Sequence, residues 1–590
     1  MLIRNLFLLL SNISLILLTA CSTIPTVPLT PPPSVSQTTA AAIIYDWDMD
    51  IFHPVVARHG MVATEQKLAS RIGVDILKAG GNAIDAAVAI GFGLAVTLPN
   101  AGNIGGGGFM LVHDAQTGRS TALDFRETAP AAASRDMYLD TAGNVINKKS
   151  LFSHAAVGVP GTVAGMIHAL QRWGSMPLAK VMQPAITLAE EGYPVSKTLA
   201  KGLQYSAGNM GKWPATRAIF WKNDMPLKTG DKLVQQDLAN SLRLIARDGA
   251  RAFYAGEIAH RIAADMARNG SPMTMEDLKN YRITEREPVR GTYRGYEIVT
   301  MPPPSSGGVH LVQMLNMLEY WPLREWGHNS ARTIHHMTEA MKLAYADRSE
   351  YLGDPDFVNV PLTGLISKAY AEALVSHIDP DHARVAEAIK PGQPQFHESN
   401  QTTHFSVMDS AGNMVAVTYT LNTNFGSGIV APGTGIVLNN EMDDFSIKPG
   451  MPNVYGVIGG EANAVAAGKR PLSSMTPAFV FKAGKPWLVT GSPGGPRIIT
   501  TVLQQIVNGI DFAMNPAEAA SAARFHHQWT PDELRLEKGI SPDTLRLLQE
   551  KGHRIVIKPT MGRTQTIQLH GDELWGYSDP RNPDGATVGF

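Results

Sequence analysis

Residues 401–420 read QTTHFSVMDSAGNMVAVTYT, and this stretch carries the clearest structural signal in the 590-residue chain. Asp409–Asn413 supplies the Asp, Ser, Gly and Asn that favour a tight turn. The runs on either side, Gln401–Met408 and Met414–Thr420, are rich in the β-branched and aromatic residues that favour strands. The stretch therefore predicts a β-hairpin.

The register of this hairpin determines which side chains meet. If Met408 lies opposite Met414, then Thr402 lies opposite Thr420. Opposite residues point to the same face of a sheet, with Cβ atoms about 5 Å apart. A slip of one residue would separate the two hydroxyls, so their pairing depends on this register.

A threonine at the start of a strand has a specific chemical use. If the bond between Gln401 and Thr402 is cut, Thr402 gains an α-amine with an ordinary pKa of about 7.7–8.0. That amine can take the proton from the hydroxyl of the same residue and make the oxygen a nucleophile. The hydroxyl can also make the cut by attacking the preceding carbonyl, and Thr420 would orient it. Threonine pairs are common in strands for structural reasons, so the hairpin alone does not establish this chemistry.

The composition is that of a folded protein with mixed surface charge. Hydrophobic residues make up 44% of the chain and charged residues 17%. Lys and Arg total 51 and Asp and Glu total 52, so the formal net charge is -1. Such a chain has no basic field that could follow a phosphate backbone, and we predict no nucleic-acid partner.

The first residues predict export and a lipid anchor. A positive charge precedes the apolar run Leu6–Leu18, which is shorter than the ~20 residues needed to span a bilayer. LTAC at residues 18–21 resembles the lipobox of bacterial lipoproteins, in which the cysteine is lipidated and becomes the mature N-terminus. Ser22, and not Asp, follows Cys21, which resembles an outer-membrane address. We predict a signal peptide over residues 1–20 and an outer-membrane lipoprotein facing the periplasm; an ordinary secretory peptide is the alternative.

Two helices are predicted near the start of the globular sequence. Thr64 is predicted to cap the first of them. Its apolar positions recur every fourth residue: Leu68, Ile72 and Ile76. The second, Ala83–Leu94, is apolar on nearly every side and is predicted to lie deep in the protein.

The rest of the chain predicts a layered α/β (α+β) fold. Residues 21–42 are rich in Pro, Thr and Ser and are predicted to form an extended tether, because they cannot bury enough apolar surface to fold. Helical patterns dominate the middle third, and short strands with Gly, Asn and Pro turns follow Thr402. Helices that flank strands in both halves favour layers of helices packed on sheets.

The hairpin is one of several motifs that occur in order along the chain. They are Gly80–Ala86, Gly105–Phe109, Asp124–Pro130, Gln401–Val407, Ala416–Asn422, Asn439–Phe445, Lys469–Met475 and Gly491–Gly495. Together they resemble the bacterial γ-glutamyltranspeptidases, and the resemblance covers roughly residues 45–590. So many ordered matches are far more specific than one short motif.

The resemblance implies a fold and an activity. The fold would be a four-layer αββα sandwich of the N-terminal nucleophile hydrolase type. The precursor would cut itself into a large subunit, 43–401, and a small catalytic subunit, 402–590, which stay associated as a heterodimer. The implied donors are γ-glutamyl amides, glutathione above all. The γ-glutamyl group would pass through an acyl-enzyme on Thr402 to water or to the amine of an amino acid or peptide.

The resemblance also implies which residues bind the donor. Arg126 resembles the arginine that grips the α-carboxylate, a task that suits a planar guanidinium. Two hydroxyls would assist it: Ser473 and Ser474. Three oxygen-bearing side chains would hold the α-ammonium: Asn422, Glu441 and Asp444.

Two further elements complete the implied site. Gly494 and Gly495 match the backbone N–H pair that forms an oxyanion hole, where glycine lets the amides approach the developing charge. Pro449–Gly460, which contains Tyr455, resembles a lid loop over the bound glutamyl group, and its Pro and Gly content suits a closing loop.

Two alternatives remain open. One is a related acylase that acts on glutaryl side chains, such as those of cephalosporins. The predicted ammonium-binding residues argue against it, because a glutaryl group lacks that charge. The other is an uncleaved surface lipoprotein that serves as a non-catalytic binding scaffold.

The sequence predicts no metal and no organic cofactor. The glycine run Gly105–Gly108 is not a phosphate loop, because no Gly-Lys-Ser/Thr follows it. The adjacent pairs His335-His336 and His526-His527 would point apart on a helix and could not share one metal. The predicted partners are γ-glutamyl donors, amino-acid or peptide acceptors, and a membrane reached through the lipid anchor alone.

Overall fold

The computed structural model describes residues 45–392, 403–451 and 459–590. The predicted signal peptide, 1–20, and the predicted tether, 21–42, lie outside these ranges. The strands are β1 (Val55–Ala57), β2 (Gly60–Thr64), β3 (Gly107–Asp114), β4 (Arg119–Phe125), β5 (Tyr193–Pro194), β6 (Trp221–Lys222), β7 (Met225–Pro226), β8 (Lys232–Leu233), β9 (Thr284–Arg286), β10 (Val289–Tyr293), β11 (Tyr296–Thr300), β12 (Thr403–Asp409), β13 (Met414–Thr420), β14 (Ala478–Lys482), β15 (Lys485–Thr490), β16 (Phe525–His526), β17 (Leu534–Leu536), β18 (Ile555–Ile557), β19 (Gln565–His570), β20 (Glu573–Ser578) and β21 (Ala586–Gly589).

Helices occupy most of the chain between these strands. They are α1 (Lys67–Lys78), α2 (Ala83–Thr97), α3 (Thr162–Trp173), α4 (Leu178–Glu191), α5 (Lys197–Met210), α6 (Pro214–Phe220), α7 (Gln236–Asp248), α8 (Ala250–Tyr254), α9 (Glu257–Arg268), α10 (Met275–Asn280), α11 (Gly307–Leu318), α12 (Leu323–Trp326), α13 (Ala331–Tyr351), α14 (Leu362–Leu365), α15 (Lys368–Val375), α16 (Arg497–Ile510), α17 (Pro516–Ser521) and α18 (Pro542–Glu550). Short 3₁₀ turns cover His154–Ala156, Ala386–Ala388, Glu441–Asp444 and Glu461–Asn463. Within the described ranges, we find no helix that combines the length and the apolar character needed to cross a membrane.

The first two helices follow the local sequence, with one correction. The prediction that Thr64 caps α1 is wrong: Gln66 is the N-cap, and its side chain accepts the N–H of Leu68 at 2.6 Å. The Thr64 hydroxyl instead accepts the N–H of Gln66, because a further turn separates β2 from the helix. The prediction for α2 is confirmed, since every residue of this helix is buried. Asn82 and Asp85 form a capping box at its start.

Two seven-stranded sheets form the centre of the described structure. In sheet A the strand order is β1-β20-β19-β15-β14-β11-β10, and in sheet B it is β21-β2-β12-β13-β3-β4-β9. The pairs within both sheets are antiparallel. Sheet B therefore places the predicted hairpin, β12 and β13, near its middle.

The predicted hairpin register is confirmed. Met408 lies opposite Met414, and the ladder continues without a shift to Thr403 opposite Tyr419. The Asp409 carboxylate closes the turn by accepting the backbone N–H of Asn413 at 3.0 Å. Asp409 Oδ2 also accepts the N–H of Ala83 at 2.9 Å, which ties the turn to the start of α2.

Three of the four hydrophobic clusters in the described ranges separate four layers. The inner core lies between the sheets and joins Phe109 and Met408 of sheet B with Phe479 and Ile567 of sheet A. The outer face of sheet B packs against α1 to α4, and the outer face of sheet A packs against α11, α13 and α16. The predicted αββα sandwich is therefore confirmed, because each sheet buries one face on the other sheet and one on helices.

We expect the core between the sheets to dominate stability. Phe479→Ala should lower the free energy of unfolding by about 3–5 kcal/mol, because it leaves a cavity where a fully buried ring packs. Phe357→Ala is the matched control; its ring is 48% exposed, so the change should stay within about 0.5 kcal/mol. The urea midpoint followed by circular dichroism measures both. Equal midpoints for the two variants would contradict this view of the core.

Candidate active site

The candidate site lies at one edge of sheet B, where four neighbouring strands begin or end. β12 begins at Thr403 and β3 at Gly107, whereas β13 ends at Thr420 and β4 at Phe125. Antiparallel pairing brings these ends together, because Gly107 lies opposite Thr420 and Gly108 lies opposite Phe125. The residues next to each of these ends therefore share one region of the molecule.

Four residues that the sequence assigns to the site, the lid or the anchor lie outside the described residues. They are Cys21, Gln401, Thr402 and Tyr455. The pairing of Thr402 with Thr420 stays a prediction. The register that it needs is present, because Thr403, the next residue, lies opposite Tyr419.

Thr420 and Asn422 form a compact turn at the end of β13. Thr420 Oγ1 accepts the N–H of Asn422 at 2.7 Å, and Asn422 adopts a left-handed φ of 72° that asparagine tolerates well. Asn422 Nδ2 donates to the carbonyl of Asn440 at 3.0 Å. The turn thus fixes the Thr420 hydroxyl and contacts the residue that precedes Glu441.

Arg126 follows β4 directly and is completely buried. Its Nη1 lies 2.5 Å from Glu441 Oε1, and its Nη2 lies 2.7 Å from Asp444 Oδ2. The guanidinium also donates to two carbonyls at 3.0 and 3.1 Å, those of Pro471 and Leu472. Three of the predicted donor-binding residues are therefore in contact, and they pair with one another across distant parts of the chain.

A third carboxylate belongs to this cluster, and the sequence did not single it out. Glu127 Oε2 lies 3.7 Å from Arg126 Nη1, and both side chains are fully buried. Burial raises the pKa of Glu127 and of Asp444 to about 7, against the opposing effect of Arg126. Burial also raises the pKa of Glu441 well above its ordinary value. One guanidinium thus faces three carboxylates, a formal charge of 1 − 3 = −2 if all are ionised.

Several oxygens of this cluster accept no hydrogen bond from described residues outside the three carboxyl residues themselves. They are both carboxylate oxygens of Glu127, Glu441 Oε2 and Asp444 Oδ1. Buried carboxylate oxygens are normally paired, because leaving them without a donor costs about 1–3 kcal/mol each. The cluster therefore offers acceptors to a ligand that carries N–H groups and positive charge.

The two predicted serines follow the carbonyls that Arg126 contacts. Ser473 Oγ accepts the N–H of Met475 at 3.2 Å, and its hydroxyl hydrogen can still donate to another group. Ser474 Oγ accepts from Arg348 at 3.1 Å, and Arg348 also donates to Ser306 Oγ at 3.2 Å. Arg348 is a buried arginine of α13 that the sequence did not indicate, since nothing in a helical pattern shows which side chain reaches a distant loop.

Gly494 and Gly495 lie in the loop between β15 and α16. Their φ angles are 137° and 70°, which favour glycine. The loop leads into the N-terminal end of α16, where backbone N–H groups and the helix dipole favour negative charge. Gly491 begins the same loop and lies against the His404 ring, which a Cβ on this glycine would approach to 2.3 Å. The glycine loop therefore lies beside the start of β12.

The histidines of α13 point apart, as the sequence predicts. His336 Nδ1 donates to the carbonyl of Arg332 at 2.8 Å, whereas His335 bonds to His553 at 2.8 Å. Glu339 completes a group with His335 and His553 whose spacing could hold a metal ion. The ammonium of Lys342 lies 2.8 Å from Glu339 and already supplies a positive charge there. The absence of a metal stays a prediction.

The described residues favour an acyl group that carries both charges. A guanidinium binds carboxylates well, and the excess of carboxylates over guanidinium suits an ammonium. Backbone N–H groups at the start of α16 suit an oxyanion. These features lie around the end of the strand that begins just after Thr402.

Comparisons with known proteins agree with this geometry. The profile of the family described as Gamma-glutamyltranspeptidase matches residues 69–589. The glutathione hydrolase proenzyme of Escherichia coli (strain K12) is 57% identical over 553 residues, which cover 93% of this chain and 95% of that protein. The crystal structure of cephalosporin acylase from Bacillus halodurans has a TM-score of 0.82 at 31% identity, covering 93% of this chain and 99% of that one. The structure of Helicobacter pylori gamma-glutamyltranspeptidase has a TM-score of 0.55 at 45% identity, covering 62% of this chain and 99% of that one. The chain belongs to the gamma-glutamyltranspeptidase family.

Proposed function

We propose that this protein is an autoprocessed γ-glutamyltransferase and glutathione hydrolase. It cleaves the γ-glutamyl amide of glutathione and related donors and transfers the group to water, amino acids or peptides. The observation that carries the proposal is the buried cluster of Arg126 with three carboxylates beside the strand that follows Thr402. The name of the Escherichia coli relative, glutathione hydrolase proenzyme, supports the same donor.

The transfer begins at Thr402. Its free α-amine takes the proton from its own hydroxyl, and the oxygen attacks the γ-carbonyl of the donor. The N–H groups of Gly494 and Gly495 stabilise the oxyanion, and one such donor is typically worth roughly 3–4 kcal/mol in the transition state. The amine of the leaving peptide takes the proton, and the glutamyl group stays on Thr402 as an ester. Water or an acceptor amine then attacks the ester and restores the hydroxyl.

The same hydroxyl makes the first cut. The Thr402 hydroxyl oxygen attacks the carbonyl carbon of Gln401, and the peptide C–N bond breaks, which frees the α-amine of Thr402 and leaves an ester. Water then hydrolyses the ester to the Gln401 carboxylate and the Thr402 hydroxyl. The products are the large subunit, 43–401, and the small subunit, 402–590. Strands from before and after this point alternate in sheet B, in the order β21-β2-β12-β13-β3, which supports an associated heterodimer.

The charge of the donor pocket favours a γ-glutamyl donor over a glutaryl donor. A γ-glutamyl group brings a carboxylate and an ammonium, which Arg126 and the carboxylates Glu441 and Asp444 can divide between them. A glutaryl group brings only a carboxylate to a cluster in which three carboxyl groups already surround one guanidinium. The acylase alternative draws support from the similarity to the Bacillus halodurans enzyme. Because the carboxylates outnumber the guanidinium, we rank the acylase function second.

We further propose that the protein is exported and carries a lipid on Cys21. The motif at residues 18–21 and the tether after it support an anchor in the outer membrane that faces the periplasm. Such an anchor leaves the globular part, which begins near Val55, outside the bilayer. An uncleaved scaffold would have no use for the reactive threonine or for the glycine loop, and it ranks last.

Thr402 can be tested directly by substitution. Thr402→Ala should leave a single full-length polypeptide that does not hydrolyse a γ-glutamyl anilide, because the nucleophile for both reactions is gone. Thr402→Ser is the matched control; it keeps the hydroxyl and the α-amine and should still be cut. Denaturing electrophoresis and N-terminal sequencing of the smaller product measure processing. Cleavage of the Thr402→Ala protein at the same bond would contradict the mechanism.

Asp444→Asn tests the assignment of the donor. We expect the KM for a γ-glutamyl anilide to rise about 10- to 100-fold, because a charge-assisted hydrogen bond is worth about 1.5–3 kcal/mol. The KM for a glutaryl anilide should not rise. Glu461→Gln, at a side chain that is 67% exposed on the next 3₁₀ turn, is the control and should change neither value. A wild-type preference for the glutaryl anilide would reverse the ranking of the two functions.

The donor pocket should also respond to pH. Below about 7, Glu127 and Asp444 gain protons, so the cluster becomes less negative and holds the α-ammonium less well. The KM for a γ-glutamyl anilide should therefore rise as the pH falls from one unit above to one unit below about 7. The KM for a glutaryl anilide should not rise over that range. If the KM values for the two substrates change with pH in parallel, the cluster does not bind the ammonium.

A further inference from the structure

Glu65 is a buried carboxylate that the mechanism above does not use. It follows β2 directly and is completely inaccessible to solvent. Its Oε1 accepts the hydroxyl of Thr403 at 3.1 Å, and its carboxylate also accepts the backbone N–H of His404. Glu65 therefore holds the first two described residues of β12, immediately after Thr402.

The other oxygen of Glu65 is paired with Arg563. Arg563 Nη1 lies 3.1 Å from Glu65 Oε2, and the arginine side chain is 32% exposed. Asn582 Nδ2 fixes the backbone of Glu65 by donating to its carbonyl at 2.8 Å. Burial raises the pKa of Glu65, and the opposing effects of Arg563 and Thr403 favour its charged form. The charged form of the Glu65 carboxylate thus depends on both Arg563 and Thr403.

The backbone next to Arg563 contacts the glycine loop. The N–H of Arg563 donates to Ser492 Oγ at 2.8 Å. Gly562 packs against Gly494, where an added Cβ would lie 3.4 Å from the Gly562 Cα. A continuous set of contacts therefore runs from Thr403 through Glu65 and Arg563 to the loop that contains Gly494.

We propose that Glu65 is a positioning residue that, through Arg563, fixes the start of β12 relative to the glycine loop. The contacts that link Thr403, Glu65 and Arg563 to the glycine loop are called the bridge below. The inference rests on the proposed function, which gives the two ends of the bridge their chemical roles. The nucleophile belongs to the strand end, and the oxyanion donors belong to the loop. A displacement of about 1 Å between such groups can cost on the order of 100-fold in rate.

The bridge should affect the rate and not the affinity for the donor. Glu65→Gln keeps the size of the side chain and an acceptor for Thr403 but loses the charge that holds Arg563. We expect self-cleavage and kcat for a γ-glutamyl anilide to fall on the order of 10- to 100-fold. The KM should stay within about twofold, because Glu65 and Arg563 hold the start of β12 and the glycine loop, whereas Arg126 pairs with Glu441 and Asp444.

A second variant and a control make the test specific. Arg563→Ala breaks the bridge from its exposed side and should reproduce the fall in kcat. The double variant should be no slower than the single ones, because both remove the same interaction. Arg58→Ala removes another ion pair of a strand end, with Glu573 at 3.0 Å, and should process and turn over like the wild type.

The pH profile separates a positioning charge from a purely structural one. The charged groups that face Glu65 are Arg563 and Asp579. Glu65→Gln leaves Arg563 unbalanced and should lower the pKa of the Thr402 amine, moving the acid limb of kcat/KM to lower pH. Arg563→Ala leaves the carboxylate unbalanced and should move that limb to higher pH. Shifts of the acid limb in opposite directions in the two variants support the proposal. Acid limbs that coincide with that of the wild type overturn it.

The remaining outcomes are also decisive. If wild-type protein is cut before Thr402 and is active, but both variants match its rates, the inference fails and the proposed function stands. If the wild type is not cut or does not act on the γ-glutamyl anilide, the proposed function fails. Should Glu65→Gln not fold, as judged by circular dichroism, the partly exposed Arg563→Ala gives the measurement alone.

Discussion

Hydrogen bonding on both sides of β12 is the constraint on which the site depends. β2 pairs with this strand from Phe405 onward, and β13 pairs with it from Thr403, so the start of the strand has a defined position. The next strands, β3 and β4, bring the chain to Arg126 at the same edge of the sheet. Because the side-chain period of a strand is two, a slip of β12 by one residue would turn its side chains to the opposite face of the sheet. Strand register thus sets the distance between the reactive end and the donor pocket.

The sequence predicts features with a local cause and does not reveal those with a distant one. The turn residues and the small apolar residues of α2 act on their own neighbours, so the hairpin register and the buried helix could be predicted. Family resemblance names Arg126, Glu441 and Asp444, but their mutual pairing joins residues 315 and 318 positions apart. The roles of Glu127 and Glu65 could not be predicted, because a single sequence does not show how deeply a fold buries a carboxylate.

The proposed donor pocket holds more carboxylates than guanidinium groups, and all of these side chains are buried. Charges in such a place are costly unless they are paired, and here one guanidinium has three carboxylate neighbours. The raised pKa values mean that protons occupy part of the cluster near neutral pH. In the function that we propose, an incoming ammonium replaces those protons, so the charge of the cluster adapts to the bound group. In the same proposal, this property discriminates against acyl groups that bring no cation.

The alternation of strands within both sheets has a consequence for the mature protein. Segments from before and after residue 402 lie side by side in sheet A as well as in sheet B. If the chain is cut before Thr402, as we propose, the two polypeptides cannot separate unless both sheets open. We therefore expect no exchange of small subunits between molecules on a time scale shorter than that of global unfolding.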